Sequence, residues 1–360
     1  MTQRIELKIG NVLDKLKMIE SDSVDCICTS PPYYGLRKYK APEVWWDTNK
    51  QIGHSATEPN NYCECGAWLG QLGLEPDYRM YLNHMLKVTA ELKRVLKPTG
   101  TLWLNMGDTY NGNKKGKTDN IVSDHAKEGQ AGLVKSASPF MQEKSLMQLP
   151  ARLSIRMADE QGWILRNTLI WHKRNHMPGS VKDRLTNSYE YVFFFTKQKR
   201  YFFNLDAVRV PVKFPEDVAR RMHQDKQANV NPFNKGTDAV RHTKQDLAHN
   251  RTGTYNDPLH TKPLNPLGKN PGDVLELSTM PFKGSHFAVF PPKLPEFCIK
   301  AGSPENGVVL DPFAGSGTTM MVARQLGRSA IGIEISPEYA ELIKKRLIWG
   351  FDPNIEWKVD

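Results

Sequence analysis

Two short stretches, far apart in the chain, carry side chains that could do chemistry together. Thr29-Ser30-Pro31-Pro32-Tyr33 follows an apolar run, and the two prolines can continue neither strand nor helix, since proline lacks the amide donor and restricts the residue before it. At such a rigid turn the Ser30 hydroxyl and the Pro31 carbonyl are acceptors, and Tyr33 offers a ring on which a planar group can stack. A loop with ordinary aromatic packing is the alternative. The second stretch, Gly307-Val308-Val309-Leu310-Asp311, reads as a strand ending in an acid, followed by Pro312-Phe313-Ala314-Gly315-Ser316-Gly317-Thr318-Thr319 and a helix. In an open α/β sheet, ligands bind off the carboxyl ends of strands, and glycines let backbone approach them closely. Glu334 closes the next strand, about 20 residues after Asp311, where an acidic side chain hydrogen-bonds the ribose of a nucleoside cofactor. The third glycine of the dinucleotide fingerprint is absent and no Gly-Lys-Ser/Thr follows, so an adenosyl cofactor without phosphates fits better than a dinucleotide. A tight strand-to-helix connection without ligand stays open as the plainer reading.

The elements that position these residues read as a parallel α/β pattern. Ile5 to Ile9 alternates, Val12, Leu13, Leu16 and Ile19 share a helical face, and Ser23 to Thr29 is a buried strand. Residues 36–76 read as a loop excursion over one edge of the sheet. Tyr78 to Leu96 is an amphipathic helix with Tyr81, Met85, Val88, Leu92 and Leu96 on one stripe. A short strand, Thr101 to Met106, leads to Gly107-Asp108. A further helix, Leu149 to Gln161, precedes two apolar strands, Ile164 to Trp171 and Tyr189 to Thr196. Periodicity then fades into a stretch dense in Asn, His, Pro, Lys and Arg, and returns near Phe287. The expected organisation is a catalytic domain of 1–205 continued by 284–360, interrupted by a loop-rich insert of 206–283.

The chain has 360 residues, 39% of them hydrophobic and 24% charged, with a formal net charge of +10. That composition excludes fibrous and disordered classes, and the basic excess suits a polyanionic partner without proving one. No apolar run approaches the roughly 18 residues of a bilayer span, and MTQRIELKIG lacks an apolar signal core, so no membrane partner and a cytoplasmic location are expected. The 5 cysteines argue for reduced thiols. Cys26 and Cys28 alternate within a strand and fill core space. Cys63-x-Cys65 with His54 upstream is a candidate half of a zinc site, but only these three ligands lie nearby against the four that structural zinc takes, so no metal is expected. Asp108 ends a strand on the ligand side and either assists the site or serves as a turn residue.

Taken together and in this order, Thr29-Ser30-Pro31-Pro32-Tyr33 and Asp311-Pro312-Phe313-Ala314-Gly315-Ser316-Gly317 resemble the S-adenosylmethionine-dependent DNA amino-methyltransferases of the β class, which place the catalytic motif first, a variable insert next and the cofactor motif last. The resemblance spans Ile5 to about Leu347 outside the insert. It implies an α/β fold with a permuted, Rossmann-like methyltransferase sheet, helices on both faces and a loop-rich target-recognition insert. It implies Ser30, Pro31, Pro32 and Tyr33 as catalytic residues. Asn11, Asp311, Phe313, Ala314, Gly315, Ser316, Gly317, Thr318 and Glu334 would hold S-adenosylmethionine. Where the family often has Gly-Asp after the first strand this chain has Gly10-Asn11, which exchanges a carboxylate for an amide.

An exocyclic amino nitrogen is a poor nucleophile because its lone pair is delocalised into the ring. Acceptors such as the Ser30 hydroxyl and the Pro31 carbonyl hold its hydrogens while it pyramidalises, and Tyr33 can stack an extruded base. Methylation of cytosine carbon 5 would need a cysteine nucleophile after proline, and no cysteine here follows proline. Ser-Pro-Pro-Tyr is commoner among the cytosine enzymes of this family, so cytosine N4 is favoured over adenine N6. Double-stranded DNA is the implied partner, read by Arg220, Arg221, Arg241 and Arg251 of the insert with Asn229, Asn231 and Asn234, and a cognate restriction endonuclease is a further partner that the family allows. The implied setting is a prokaryotic cell or its phage. A nucleic-acid-binding protein that keeps this fold without catalysis, and an amino-methyltransferase acting on protein, are the readings of other classes. Oligomeric state is open.

Overall fold

The structure is a computed structural model that describes residues 2–36, 38–47, 54, 61–112, 138–176, 179, 181–212, 265–279, 290–348 and 355–360. In chain order the strands and helices are β1 (Gln3–Ile9), α1 (Val12–Lys17), β2 (Val24–Thr29), β3 (Val44–Trp46), β4 (Trp68–Gly70), α2 (Tyr78–Val95), β5 (Leu96–Met106), α3 (Leu149–Gln161), β6 (Ile164–His172), β7 (Tyr189–Thr196), β8 (Val274–Glu276), α4 (Lys293–Gly302), β9 (Val308–Asp311), α5 (Thr318–Gln325), β10 (Ser329–Glu334), α6 (Pro337–Ile348) and β11 (Ile355–Val359). Among the described residues no helix is long and apolar enough to cross a membrane.

The chain forms two compact units, Met1–Asn204 with Gly272–Asp360, and Leu205–Pro271. The first holds a 9-stranded sheet in the order β11-β1-β10-β9-β2-β5-β7-β6-β8. Pairing is parallel except around β7, which runs antiparallel to both β5 and β6. β2 is buried along its whole length, VDCICT, as a central strand covered on both faces requires. The two faces are visible in β5 and β7. Leu102, Leu104, Phe193 and Phe195 join the core that includes Leu92 of α2 and Leu153 of α3. Trp103 instead stacks on Phe194 at 4.2 Å and meets Phe297 of α4 edge-on, the alternation that a pleated strand imposes. Helices therefore cover both faces.

α2 starts where Asp77 caps the Arg79 amide at 2.9 Å, and Tyr81, Met85, Val88, Leu92 and Val95 form its buried stripe. Asp25 ties three strands together at their amino ends. Its carboxylate takes Lys97 of β5 at 2.9 Å and the Val308 amide of β9 at 2.8 Å. The excursion expected over 36–76 contains a second, two-stranded sheet of β3 and β4. Trp46 and Trp68 from those strands stack on His84 of α2, whose nitrogens lie 2.9 Å from Glu75 and 3.0 Å from Asp47.

Two expectations of extent change. The segment expected as insert ends earlier, because Val274–Glu276 pairs with β6 as a sheet strand and so belongs to the first unit. The second unit, in its described residues, includes a turn at Asp206–Val208 and a mutual pair of hydrogen bonds between Val210 and Lys269 at 3.0 and 2.9 Å. β11, a terminal strand beside β1, was not anticipated.

Candidate active site

β9 connects to β10 on one side and β2 to β5 on the other, so the chain changes direction in the sheet between β9 and β2. Crevices form where connections part in this way. Both motifs sit there. Thr29 Oγ1 donates to Asp311 Oδ1 at 2.6 Å, joining the two strand ends. A cavity of about 1060 Å³ opens above them, and Asn11, Ser30, Pro31, Pro32, Tyr33, Asp311, Phe313, Ala314, Gly315, Ser316, Thr318 and Glu334 all contribute to its wall. Gly317 stands behind that wall with φ +76°, where an added Cβ would lie 3.1 Å from Ile343. Arg220, Arg221, Arg241 and Arg251, with Asn229, Asn231 and Asn234, lie outside the described residues.

The floor of the cavity is built from two buried carboxylates. Glu334 Oε2 accepts the Gly315 amide and Oε1 the Ser336 amide, both at 2.8 Å. The glutamate thus clamps the turn after β9 to the start of α6 while keeping lone pairs for a ligand. Burial pushes its pKa from 4.5 to about 7. Asp311 also accepts the Phe313 amide at 3.1 Å, and burial lifts its pKa from 3.8 to about 6. Buried carboxyls held this way favour a ligand that brings hydroxyl donors or positive charge. Asn11 spends its side-chain oxygen as the cap of α1, accepting the Leu13 amide at 2.8 Å.

The diproline turn is fixed from outside. Tyr81 of α2 donates to the Pro32 carbonyl at 2.9 Å. Gly73, at φ +91°, lies so close that a Cβ there would sit 2.9 Å from the Tyr33 carbonyl. The Tyr33 side chain is anchored through its hydroxyl. Ser30 donates to it at 3.0 Å, and it donates to Glu190 Oε2 at 2.8 Å with Asn105 Oδ1 at 3.2 Å. Asn105 Nδ2 reaches the same Glu190 oxygen at 3.1 Å and the Tyr191 carbonyl at 3.0 Å. Lys173 donates to the other Glu190 oxygen. Burial and the Glu190 carboxylate push the Tyr33 phenol well above its ordinary pKa, so it remains a donor. The ring passes over Gly107, where a Cβ would lie 2.7 Å from it.

Asn105, Lys173 and Glu190 are site residues that sequence reasoning missed. A lone acid at the head of an apolar, aromatic strand was the available signal. Because β7 is antiparallel, its first residues fall on the same sheet edge as the last residues of the parallel strands. Asp108, left open between two roles, is half-buried on the cavity wall. One of its oxygens accepts the Thr109 amide at 2.9 Å and the first amide of α3 at 3.2 Å. Its other oxygen, Oδ2, is buried without a partner, and burial raises its pKa. His54, Cys63 and Cys65 lie together, outside this cavity wall.

The cavity is large enough for a nucleoside-sized cofactor and a second planar group at once. Its carboxylate floor, with an acid at the end of each of two adjacent strands, fits the hydroxyls and positive charge of S-adenosylmethionine. The family model for DNA methylases matches residues 24–345. The Type II methyltransferase M.SmaI of Serratia marcescens is 31% identical over 341 residues, covering 94% of this chain and 89% of its own length. M.XycI of Xanthomonas campestris pv. cyanopsidis is 33% identical over 339 residues, covering 94% and 86%. Among solved structures, the cytosine-N4-specific PvuII DNA methyltransferase superposes with a TM-score of 0.56 at 20% identity, covering 99% of this chain and 89% of that one. A putative DNA modification methylase from Thermus thermophilus, complexed with S-adenosyl-L-methionine, gives 0.52 at 21%, covering 99% and 98%. The chain belongs to the DNA methylase family, as an S-adenosylmethionine-dependent amino-methyltransferase of DNA.

Proposed function

We propose that the amino group methylated is N4 of cytosine, and that Ser30, Pro31, Pro32 and Tyr33 handle the base. The observation that carries the role of Ser30 is its hydroxyl, which donates to Tyr33 at 3.0 Å; the choice of cytosine rests on serine at the head of the motif. With its proton directed there, the oxygen turns its lone pairs outward and can accept one amino hydrogen while the Pro31 carbonyl takes the other. Restraining both hydrogens helps the nitrogen to leave the plane of the ring and direct its lone pair at an electrophile. Tyr33 lines the cavity with a ring held by Glu190 and Asn105, a fixed platform for a base extruded from the duplex.

S-adenosylmethionine supplies an electrophilic methyl group whose bond to sulfur breaks as the bond to the amino nitrogen forms. Glu334 would accept its ribose hydroxyls. Asp311, Phe313, Ala314, Gly315, Ser316, Gly317 and Thr318 would form the rest of its cradle, with Asn11 at the rim. Placing both reactants on one rigid sheet edge supplies rate mainly through orientation. The insert, with its arginines, is assigned to target recognition, and a restriction endonuclease of the same specificity is the partner suggested by the Type II names of the relatives.

The test is nucleoside analysis by mass spectrometry of duplex DNA treated with the purified protein and S-adenosylmethionine. N4-methylcytosine is expected, and is lost in Ser30→Ala. N6-methyladenine alone would overturn the base assignment. Exchange of the insert for that of a relative with another target site should move the site methylated, and an active chimaera that keeps its original site would remove recognition from the insert.

A further inference from the structure

The hairpin that leads into β4 carries chemistry unused by methyl transfer. His54 Nδ1, Cys63 Sγ and Cys65 Sγ lie within 4.8 Å of one another, and the imidazole nitrogen is 3.3 Å from Cys65 Sγ. Around a tetrahedral zinc ion, with bonds near 2.3 Å to sulfur and 2.0 Å to nitrogen, the sulfur-to-nitrogen edge is about 3.6 Å. These donors therefore stand close to ligating separation already.

The local fold puts them there. Gly66 donates to the Cys63 carbonyl at 2.8 Å and Cys63 donates to the Ala67 carbonyl at 2.7 Å. Gly66 holds φ +86° with open space around it. That tight turn, closed by the Tyr62–Trp68 bridge, brings both sulfurs to the hairpin tip. The His54 ring lies 5.1 Å from that of Trp45 in β3. Cys63 is half-buried and Cys65 exposed, whereas Cys26, Cys28 and Cys298 are buried. Cys65 and, in part, Cys63 are thus open to an ion from solvent and the other three are not. Two thiolates and an imidazole are a soft donor set that selects zinc over magnesium or calcium. Two thiolate charges also balance a divalent ion.

We propose that His54, Cys63 and Cys65 bind one zinc ion, with water as the fourth ligand, and that the ion ties His54 to the hairpin of Cys63 and Cys65. The site has a consequence for the cavity, because Tyr39, Val44, Trp46, Gln71 and Leu72 from the same excursion form part of its wall. An ion at the hairpin tip would hold that wall from behind.

The full-length protein, stripped with chelator, is titrated with cobalt(II) and then with zinc. One equivalent of cobalt should give tetrahedral visible absorption with a thiolate-to-metal charge-transfer band, displaced by one equivalent of zinc. Cys65→Ser should lower that band and the Cys63→Ser/Cys65→Ser pair abolish it. His54→Ala should keep the band but raise the zinc dissociation constant at least about tenfold, since changes outside the ligand shell alone cost that much. The wild-type titration decides the matter even where a variant folds poorly. An octahedral spectrum without a thiolate band, or a band that survives in the double variant with its fold intact by circular dichroism, would overturn the site.

Discussion

Glu190→Gln tests whether the half-buried network behind Tyr33 positions the Ser30–Tyr33 turn. The carboxylate accepts from Tyr33 at 2.8 Å and from Asn105 at 3.1 Å on one oxygen, and from Lys173 on the other. A glutamine keeps the shape but has one acceptor and two donors. With its oxygen turned to the Lys173 ammonium, its amide faces the Asn105 amide donor against donor, and the Tyr33 hydroxyl loses its carboxylate acceptor. Turned the other way, it sets an amide against an ammonium. Either arrangement loses at least one charge-assisted hydrogen bond, worth about 1.5 to 3 kcal/mol. If that energy serves mainly to hold Tyr33 and Ser30 for the transition state, kcat falls about 10- to 150-fold. The dissociation constant for S-adenosylmethionine, measured by calorimetry, should stay within about twofold, because Glu334 and the turn after β9 are untouched. Single-turnover methyl transfer at saturating DNA and cofactor gives the rate. A double-mutant cycle adds the discriminating reading: Tyr33→Phe removes the hydroxyl through which Glu190 acts, so the double variant should be little worse than the poorer single one. Additive losses, or a Glu190→Gln enzyme as fast as wild type, would refute a positioning role.

Three further outcomes follow from the same geometry. Glu334 and Asp311 have pKa values raised to about 7 and about 6 by burial, so the folded protein holds their protons more tightly than the unfolded chain does. Their contribution to stability is full below about pH 4 and is lost as pH rises through about 7, by about 3 kcal/mol for Glu334. A cofactor that needs the carboxylate offsets this, so thermal stabilisation by S-adenosylmethionine should be larger at about pH 8 than at about pH 6. A Glu334→Gln protein with the same pH dependence would contradict it. Gly107→Ala places a Cβ 2.7 Å from the Tyr33 ring and should cut kcat while leaving cofactor affinity intact, and unchanged turnover would mean that the ring is free to shift. His84→Ala, which takes the imidazole away from the buried Glu75 carboxylate and from the rings of Trp46 and Trp68, should cost roughly 3 to 5 kcal/mol in urea denaturation; a loss under about 1 kcal/mol would show that the carboxylate is relieved by water.

The parallel half of the sheet is legible in the chain because its strands end in unusual residues. Ser30 followed by two prolines, Asp311 followed by Gly315 and Gly317, and Glu334 followed by Ser336 and Pro337 each mark a carboxyl end. A parallel sheet collects such ends on one edge. The residues behind Tyr33 are not legible in this way. Glu190 stands at the beginning of its strand, and only the antiparallel course of β7 turns that beginning toward the cavity. Apolar runs reveal a strand without revealing its direction. The excursion over 36–76 hid two short strands for another reason. Val44–Trp46 and Trp68–Gly70 are too brief for periodicity to register, and their stability comes from the tryptophans that grip His84.

The two floor carboxylates each do two jobs, and a useful substitution has to separate them. Glu334 joins the turn after β9 to the start of α6 through two amides, and Asp311 joins β9 to β2 through Thr29. Each therefore sets the distance between elements as well as facing the cavity, where the proposed cofactor would meet its charge. Truncation to alanine would confound the two effects, leaving buried amides unpaired at a cost of about 1 to 3 kcal/mol apiece. Aspartate at 334 separates them better. It keeps the charge but shortens the reach, so it cannot serve both amides and a ligand at once. If the shortened carboxylate stays with the amides, cofactor affinity should fall with little change in the melting temperature of the protein alone; if it lets an amide go, the protein should melt earlier with no ligand present. The amides are partners in both the free and the bound protein, each at 2.8 Å, so the first pattern is expected, and early melting of the free protein would refute it.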